Sequence, residues 1–241
     1  MKVIILAGGL GTRISEYTRT IPKPMIKINK FPILLHVMSI YIKYGHNEFY
    51  IAAGYKREVI QNYFKNFVKE GRQFNQILFK KKCKITILET GKGSMTGGRL
   101  KKVSKFINNE ENFMFTYGDG LSDINLRKLE KFHKTHRKIA TVTAVRPPAR
   151  FGELTILNNR VSKFLEKPQV SQGWINGGFF IANKKIFKFI KGDKTILEKA
   201  PLEKLSKKKQ LFAYKHFGFW RCMDTKRDKD YLETLPKYKK I

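Results

Sequence analysis

The sequence predicts an α/β fold with a mixed, mostly parallel sheet flanked by helices and a smaller β-rich part. Three observations support this fold class. Short apolar runs alternate with longer segments whose apolar residues recur with a helical period, which is typical of parallel strands joined by right-handed crossovers. The first apolar run, at residues 3–6, leads directly into a glycine-rich turn. The length of 241 residues suits one large domain with a substantial core.

The first part of the chain, residues 1–136, is predicted to alternate strands and helices. The apolar runs that predict strands lie at 3–6, 49–53, 84–88 and 112–117. The amphipathic segments that predict helices lie at 32–45, 57–70, 100–107 and 124–136. Asp123 is expected to cap the last of these helices, because a side-chain oxygen at that position accepts a backbone N–H.

The second part, residues 137–241, is predicted to contain more strand. The expected strands lie at 139–145, 154–157, 161–165, 174–181 and 211–217, and the expected helices at 185–190, 196–206 and 226–235. Asn158 and Asn159 favour a hairpin turn between two of these strands. No linker or internal repeat separates the two parts, so we expect a single domain over residues 1–241.

The charge of the chain is unusual, because 50 lysines and arginines against 19 aspartates and glutamates give +31. Such a balance often accompanies nucleic-acid binding. Here, however, the lysines are spread along the whole chain, and no RNA-binding or helix-turn-helix signature is present. We therefore expect no specific nucleic-acid partner, only non-specific attachment that weakens as the salt concentration rises.

The compartment and redox state are also constrained by the sequence. No apolar run reaches the roughly 18 residues that a membrane span needs, and the N-terminus lacks a signal-peptide pattern. These features favour a cytoplasmic protein without a membrane span. Cys83 and Cys222 show neither metal-ligand spacing nor a disulfide framework, so both are expected to be reduced.

The glycine-rich turn after the first strand, from Gly8 to Gly11, has the composition of a phosphate-binding loop. Its glycines let backbone N–H groups approach a ligand closely, and Thr12 adds a hydroxyl. Arg13 and Lys23 add two cations suited to phosphate oxygens. The turn lacks the Gly-Lys-Ser/Thr of a P-loop and the third small residue of the dinucleotide fingerprint. A simple tight turn between strand and helix is the alternative.

A second glycine-rich loop follows the predicted strand at 84–88 and ends at Arg99. Its glycines and hydroxyl groups precede a predicted helix, whose N-terminus offers free N–H donors. We expect this loop to bind the base or ribose of a nucleotide, and a flexible surface turn is the alternative.

Two aspartates are candidate metal ligands. Asp119 follows the strand at 112–117, and a carboxylate at the end of a central strand lies over the crevice where ligands bind. Mg²⁺ takes one or two carboxylates together with substrate phosphates, so Asp224 is the expected second ligand. The competing interpretations are a turn aspartate at 119 and a helix N-cap at 224. His133 and His136 lack a third ligand nearby, so we interpret them as surface residues rather than a metal pair.

Two later segments carry candidate ligands for a second phosphate-bearing molecule. Lys167 leaves a predicted strand just before a proline and is suited to bind a phosphate. Asn176 and Gly177 lie in a predicted strand whose two glycines would let a sugar ring rest on the backbone. A β-bulge explains the same glycines equally well.

The first loop, LAGGLGTR followed by PKP, resembles the signature of the sugar nucleotidylyltransferase family. Further segments resemble its glucose-1-phosphate cytidylyltransferase branch, namely SMTGGRLKKV, TYGDGLSD, PPARFGEL, FLEKP, INGGFF and GFWRCMDTKRD. The resemblance covers nearly the whole chain and implies a Rossmann-like nucleotidyltransferase fold. It implies the conversion of CTP and α-D-glucose 1-phosphate to CDP-glucose and pyrophosphate, with Mg²⁺. It also implies a symmetric homo-oligomer, often a hexamer, and a product used in dideoxysugar synthesis for surface polysaccharide.

The resemblance also implies a role for each residue that matches the family's motifs. The expected catalytic residues are Arg13, Lys23, Asp119 and Lys167. The expected nucleotide-binding residues are Leu6, Ala7, Gly8, Gly9, Leu10, Gly11, Thr12, Arg13, Lys23, Ser94, Arg99 and Gly118. The expected sugar-phosphate-binding residues are Glu166, Lys167, Asn176 and Gly177, and the expected metal ligands are Asp119 and Asp224. Ser94 stands where the family usually has threonine, so a hydroxyl is retained.

The implied chemistry needs no general base, because the phosphate of the sugar is already an anionic nucleophile. Catalysis then rests on positioning and on charge neutralisation. Two alternatives remain open at this point. One is a related enzyme that uses UTP, dTTP or another sugar 1-phosphate, and the other is a catalytically silent basic binding protein.

Overall fold

Strands and helices alternate along the chain of the computed structural model, which describes residues 1–64, 69–70, 73–79, 81–107, 109–147, 153–165 and 173–238. The strands in these ranges are β1 (Val3–Ala7), β2 (Lys27–Ile28), β3 (Phe31–Pro32), β4 (Glu48–Ala53), β5 (Lys69–Glu70), β6 (Gln73–Leu78), β7 (Lys81–Glu89), β8 (Asn112–Tyr117), β9 (Gly120–Ser122), β10 (Ala140–Val145), β11 (Glu153–Leu157), β12 (Arg160–Leu165), β13 (Ile175–Asn183), β14 (Leu211–His216) and β15 (Trp220–Cys222). The α-helices are α1 (Ser15–Thr18), α2 (Ile33–Ile42), α3 (Arg57–Phe64), α4 (Thr96–Val103), α5 (Leu126–His136), α6 (Ala200–Lys207) and α7 (Lys226–Thr234). Short 3-10 helices cover Thr12–Ile14, Lys23–Met25, Ser104–Phe106, Lys184–Phe189 and Pro236–Tyr238. Among the described residues, no helix combines the length and the apolar character that crossing a membrane requires.

A nine-stranded sheet forms the centre of the described part of the chain, in the order β14-β10-β13-β8-β1-β4-β7-β6-β5. β1 pairs in parallel with both β4 and β8, so Ile5 lies between Ile51 and Thr116. Among the seven strands from β14 to β7, only β13 runs against the others. The predicted α/β class with a mixed, mostly parallel sheet is therefore confirmed.

Helices cover both faces of this sheet, because successive side chains of a buried strand point to opposite sides. Ile5 of β1 belongs to an apolar cluster that includes Val37 of α2, whereas Ile4 belongs to a second cluster that includes Leu100 of α4. Every residue of β1 is buried. The carboxyl ends of the parallel strands β1, β4, β7 and β8 consequently meet at one edge of the sheet.

Several predicted helix boundaries are wrong. α3 does not extend to residue 70 as predicted, because Lys69–Glu70 forms β5. The sequence pattern does not predict β6, whose polar residues interrupt any apolar run, yet it pairs antiparallel with β7. Residues 184–189 form a 3-10 helix, and α6 begins at Ala200, where Pro201 favours the first helical turn.

The predicted cap of α5 is also wrong by two residues. The side chain of Asn125 accepts a hydrogen bond from the backbone N–H of Lys128, with 3.1 Å between the two atoms. Asp123 instead pairs with His216, whose Nε2 lies 3.0 Å from the carboxylate oxygen. Asn and Asp serve equally well as caps, so the tertiary partner decides which of the two is used.

α4 begins at Thr96, four residues before the predicted start, because two glycines that read as loop lie inside the helix. A Cβ at Gly98 would contact the backbone carbonyl oxygen of Asp193 and lie 2.6 Å from its Cα. Glycine is therefore required by the close approach of two backbones rather than by a turn.

Replacing Gly98 by alanine is expected to lower the free energy of unfolding by about 2 kcal/mol, since a backbone segment must move to admit the methyl group. Urea unfolding followed by circular dichroism measures the change. Gly192→Ala is the matched control, because a Cβ at Gly192 meets no atom within 4 Å. Equal stability of the two variants would contradict this account of the packing.

The histidine pair of α5 differs from the sequence interpretation, because His133 is buried rather than on the surface. The backbone N–H of Lys138 donates to His136 Nδ1 at 2.9 Å, so Nε2 of His136 carries its proton and donates to Thr141 Oγ1 at 2.7 Å. Thr141 then donates its own proton to His133 Nδ1 at 2.8 Å. The remaining N–H of His133 donates to Asn112, and both rings are neutral.

The burial of His133, with the neighbouring His136, lowers its pKa from 6.5 to about 4. The unfolded chain binds this proton more readily, so stability is expected to fall as the pH drops from 6.5 towards 4, by up to about 3 kcal/mol. Urea unfolding at pH 7 and pH 4.5 checks the slope. A His133→Asn variant should show a shallower slope over the same window, and an identical slope would exclude His133 as its source.

Candidate active site

A cavity of about 820 Å³ opens at the carboxyl ends of β1 and β8. Ligands of open α/β sheets bind in the crevice outside these strand ends. The cavity is lined by every predicted site residue that the structure describes. Glu166 and Lys167 lie outside the described residues. The predicted site residues that the structure describes therefore share one cavity, and their individual roles stay predictions.

The loop after β1 is shaped by glycine at two positions. Gly11 adopts a left-handed backbone conformation with φ 67°, and its carbonyl oxygen accepts bonds from the backbone N–H of Ile14 at 3.1 Å and the Thr18 hydroxyl at 3.0 Å. Gly8 lies directly against the guanidinium of Arg99, in space that a Cβ would fill. The outer residues of the loop, Gly9 and Leu10, are exposed and free to meet a ligand.

Arg99 joins this loop to the second glycine-rich loop. Its guanidinium is buried and donates to the carbonyl oxygen of Gly8 at 2.8 Å, to that of Gly91 at 2.9 Å and to the Thr90 hydroxyl at 2.7 Å. Burial lowers the pKa of Arg99 below its ordinary value. It also donates to the carbonyl oxygen of Lys92 at 3.4 Å, so four of its donors are committed to the protein, and its contribution in this conformation is to hold the two loops together.

The N-terminus of α4 does not offer the free donors that the sequence suggests. The backbone N–H groups of Gly97 and Gly98 both donate to the carbonyl oxygen of Thr195, at 2.9 and 3.2 Å. The Ser94 hydroxyl, a predicted nucleotide ligand, donates to the carbonyl oxygen of Thr90 and accepts a bond from the Lys102 ammonium at 3.0 Å. The sequence could not show this, since the acceptor at 195 lies far along the chain.

A small antiparallel ladder brings the two predicted metal ligands together. β15 pairs with β9 so that Cys222 faces Gly120, and the backbone N–H of Met223 donates to the Asp119 carbonyl oxygen at 2.9 Å. Asp224 follows directly after this ladder. Thr225, rather than Asp224, caps α7, because its hydroxyl accepts the backbone N–H of Asp228. The carboxylate of Asp224 is therefore available to the cavity.

Lys23 lies between the two aspartates. Its ammonium is 2.6 Å from an oxygen of Asp119 and 2.6 Å from an oxygen of Asp224. Pro24 packs on Gly118, where a Cβ would come within 3.0 Å of the proline ring, and this contact fixes the lysine beside Asp119. Arg13 completes the cluster with an Nη1 atom 2.7 Å from Asp224. Lys23 and Asp224, which are in contact here, lie 201 residues apart in the chain.

The electrostatics of this cluster favour the charged forms of Lys23 and Asp224. Burial opposes the charge of Lys23, but the Asp119 carboxylate and the hydrogen bonds to both aspartates outweigh it and raise the lysine pKa. Burial likewise opposes the charge of Asp224, and Lys23 and Arg13 together lower the pKa of that carboxyl. The Arg13 side chain is 69% exposed and its ion pair is worth little to stability, whereas Lys23 is only 11% exposed. Arg13 is thus free to exchange partners with an incoming anion.

The two predicted sugar-phosphate residues that the structure describes, Asn176 and Gly177, lie in β13 and line the cavity. The Gly177 carbonyl oxygen accepts a bond from Trp220 Nε1 at 2.7 Å, and a Cβ at Gly177 would contact the side chain of Val145. Gly178 has φ 81°, and the pairing of β13 with β10 shifts register here. This irregular pairing agrees with the bulge interpretation of the two glycines, Asn176 lines the cavity, and the sugar-binding interpretation stays a prediction.

The fold agrees with comparisons to known proteins. The family model described as Nucleotidyl transferase matches residues 2–240. The chain belongs to the nucleotidyl transferase family. A Salmonella typhimurium glucose-1-phosphate cytidylyltransferase is 45% identical, over 98% of this chain and 95% of that protein. A probable glucose-1-phosphate cytidylyltransferase of Bacillus subtilis is 42% identical, over 93% of this chain and 92% of that protein.

The fold of this nucleotidyl transferase also matches solved structures. HddC from Yersinia pseudotuberculosis, crystallised in complex with GMP-PN, superposes with a TM-score of 0.74 at 24% identity, over 97% of this chain and 98% of that chain. At this identity the likeness concerns the fold alone. The resemblance inferred from the sequence motifs is confirmed by the family match and by the two bacterial relatives.

Nucleotidyl transferases generally use a divalent metal ion, and the cluster fits one. Ligand atoms of Asp119, Asp224 and Cys222 lie within 4.8 Å of one another. Two carboxylates that already share one cation, the Lys23 ammonium, suit a hard divalent ion. Burial, with the charge of Asp119, raises the pKa of the Cys222 thiol, and a neutral thiol is a poor ligand for such an ion. The two aspartates are therefore the residues of this nucleotidyl transferase that fit it.

Three cavity residues of this nucleotidyl transferase escape sequence reasoning. Tyr117 ends β8, Thr96 opens α4, and Glu198 lies in the segment before α6. Thr96 lies in the second glycine-rich loop and Tyr117 directly precedes Gly118, but no sequence signal gives either a role, and Glu198 has no predicted site residue near it in the chain. Their hydrogen bonds to one another, described below, appear only in the folded chain.

Proposed function

We propose that this chain transfers the cytidylyl group of CTP to α-D-glucose 1-phosphate, giving CDP-glucose and pyrophosphate. The observation that carries the proposal is the cluster of Arg13, Lys23, Asp119 and Asp224 at the strand ends beside a glycine-rich loop. The names of the Salmonella and Bacillus relatives support CTP and glucose 1-phosphate as the substrates.

The reaction requires one bond to form and one to break at the α-phosphorus of CTP. An oxygen of the sugar phosphate attacks in line, and the bond to the bridging oxygen of pyrophosphate breaks. No proton is removed from the nucleophile, so the protein contributes position and positive charge. The exposed glycine-rich loop can position the phosphates, and the neighbouring cations Arg13 and Lys23 supply the positive charge.

Each cation has a proposed role, which follows from its place for Arg13 and Lys23 and from the sequence resemblance for Lys167. Arg13, which is exposed and whose ion pair within the described part of the chain is with Asp224, would neutralise the leaving pyrophosphate. Lys23, whose raised pKa keeps it charged, would hold the α-phosphate. Lys167 would hold the attacking phosphate. Asp119 and Asp224 would hold Mg²⁺, which supplies charge neutralisation along the triphosphate when bound.

The two parts of the single domain would each bind one of the two substrates. Residues 1–136 would bind the nucleotide through the loop from Leu6 to Arg13 and through Ser94, Arg99 and Gly118. Residues 137–241 would bind the sugar phosphate through Glu166, Lys167, Asn176 and Gly177. A nucleoside triphosphate substrate is consistent with the cytoplasm as the site of action.

The decisive experiment is pyrophosphate release from purified protein with Mg²⁺ and glucose 1-phosphate, with each nucleoside triphosphate offered in turn. We expect release with CTP well above release with UTP or dTTP. Faster turnover with UTP, dTTP or another sugar 1-phosphate would replace the substrate assignment and keep the reaction type. No release with any combination would favour a silent binding protein, although all four cluster residues are present.

We also propose a homo-oligomer. The hairpin of β11 and β12 exposes an unusual number of large apolar side chains, including those of Ile156, Leu157 and Phe164. Such a surface is typical of a contact between subunits. Size-exclusion chromatography with light scattering should give a mass above the 28.2 kDa of one chain, and a hexamer is the number that the resemblance implies. A monomer at all protein concentrations would exclude the proposal.

A further inference from the structure

A carboxylate without a role in the proposed reaction lies on the cavity wall. Thr96 donates its hydroxyl proton to Oε2 of Glu198 at 2.6 Å, and Tyr117 donates its phenolic proton to Oε1. Asn176 Nδ2 in turn donates to the Tyr117 oxygen at 3.2 Å. Glu198 is thus held from two sides by side chains that also line the cavity.

The partners of Glu198 are themselves fixed, which pre-organises the carboxylate. The Thr96 oxygen accepts the backbone N–H of Leu197 at 2.9 Å. The Asn176 amide oxygen accepts the backbone N–H of Gly178 at 2.8 Å. Burial and the charge of Glu198 raise the Tyr117 pKa, so this phenol remains a donor at physiological pH. Each carboxylate oxygen therefore points in a defined direction and keeps further lone pairs for another donor.

The charge of Glu198 decides which part of a substrate it can face. Both proposed substrates carry phosphates, and a carboxylate in contact with a phosphate is strongly unfavourable. Within the described residues, no Lys or Arg nitrogen lies within 4.0 Å of this carboxylate to offset its charge, unlike Asp119 and Asp224. Glu198 must then face an uncharged, donor-bearing part of a substrate, which is either the hydroxyls of the sugar or the exocyclic amine of cytosine.

The network favours the sugar. Glu198 is linked through Tyr117 to Asn176, which the proposed function assigns to the sugar phosphate. Hexose hydroxyls are donors on adjacent carbons and suit a carboxylate with open lone pairs on both oxygens. We propose that Glu198 accepts hydrogen bonds from hydroxyl groups of the hexose and determines the selectivity of the enzyme for its sugar. This inference rests on the proposed function.

A site that hydrogen-bonds a substrate hydroxyl discriminates strongly against an analogue that lacks it, because the buried acceptor then loses its partner. The effect of changing Glu198 should therefore depend on whether the substrate carries the hydroxyl that Glu198 binds. Removing the carboxylate charge should matter when the matching hydroxyl is present and should matter little when that hydroxyl is absent.

The test compares wild type with Glu198→Gln, using glucose 1-phosphate and its 2-, 3-, 4- and 6-deoxy analogues. We expect E198Q to lower kcat/KM for glucose 1-phosphate about tenfold or more. This penalty should shrink to about threefold or less with at least one deoxy analogue. Calorimetry with CTP alone should show nearly unchanged affinity. Glu203→Gln, an exposed change on α6, is the matched control and should behave as wild type.

Two outcomes would overturn the inference. An equal penalty with every analogue would mean that Glu198 only supports Thr96 and Tyr117, and weaker binding of CTP would mean that it contacts the base. Should wild type release no pyrophosphate, the proposed function fails by itself, and calorimetric binding of glucose 1-phosphate to wild type and E198Q still tests Glu198. If E198Q does not fold, Glu198→Asp, which withdraws the carboxylate by one methylene, gives the same comparison.

Discussion

Asp119→Asn is expected to lower the rate of pyrophosphate release on the order of a hundredfold or more, with the protein still folded. The change keeps the shape of the side chain. It removes the carboxylate charge, which lies 2.6 Å from the Lys23 ammonium and would also hold the metal ion. The lysine retains its ion pair with Asp224, so the local structure has a remaining anchor. Steady-state release of pyrophosphate at saturating substrates measures the loss.

Asp230→Asn is the matched control for Asp119. It makes the same chemical change on an exposed face of α7, where the ion pair of Asp230 among the described residues is with Lys226 at 3.9 Å. Its activity and melting temperature should equal those of wild type. A near-normal rate in Asp119→Asn would remove Asp119 from the metal and catalytic roles assigned to it, and loss of circular dichroism would assign it to folding instead.

Lys23→Met is expected to show a comparable loss of turnover, on the order of a hundredfold, because no other described cation bridges the two aspartates. Methionine retains the apolar stem of the lysine and removes only the ammonium. The variant should also be less stable at neutral pH, since two partly buried carboxylates then face each other without their shared cation.

The pH dependence of that destabilisation has a definite sign. Lys23 helps to lower the pKa of Asp224 from 3.8, so its contribution to stability is present above pH 3.8 and is lost as the pH falls through the lowered pKa. The difference in unfolding free energy between wild type and Lys23→Met should therefore shrink on acidification. Lys27→Met, on an exposed position of β2, is the control and should match wild type throughout. A normal rate in Lys23→Met would contradict the role given to Lys23.

Residues close together in the sequence account for what could be predicted. The strand before Gly8, the glycine-rich loop itself and the Gly118-Asp119 turn are local patterns, and each lies where strand-to-loop reasoning places it. The parallel pairing of β1, β4, β7 and β8 follows from strand–helix alternation, because a crossover helix forces neighbouring strands to run the same way. The alternation of apolar and amphipathic segments was therefore sufficient to predict how these strands pair.

Contacts between distant segments account for what could not be predicted. The start of α4 at Thr96 depends on the approach of Gly98 to Asp193, and the cap of α5 depends on the pairing of Asp123 with His216. Asp123 and Asn125 are equally suitable caps by their local sequence, and Gly97-Gly98 fits a loop as well as a helix. In both cases a partner about a hundred positions away decides the outcome. The burial of His133 follows likewise from its bond to Thr141 on a neighbouring strand.

The sequence by itself determined the fold class, the family and many of the residues that enter the cavity. Only the tertiary structure decided that Lys23 is shared by two aspartates, that Arg99 ties two loops together and that Glu198 is held by Tyr117 and Thr96. The physical reason is that chain patterns record local backbone preference and burial. The direction of a hydrogen bond and the sharing of a charge depend on distances between side chains, which are set only when the sheet and its loops have assembled.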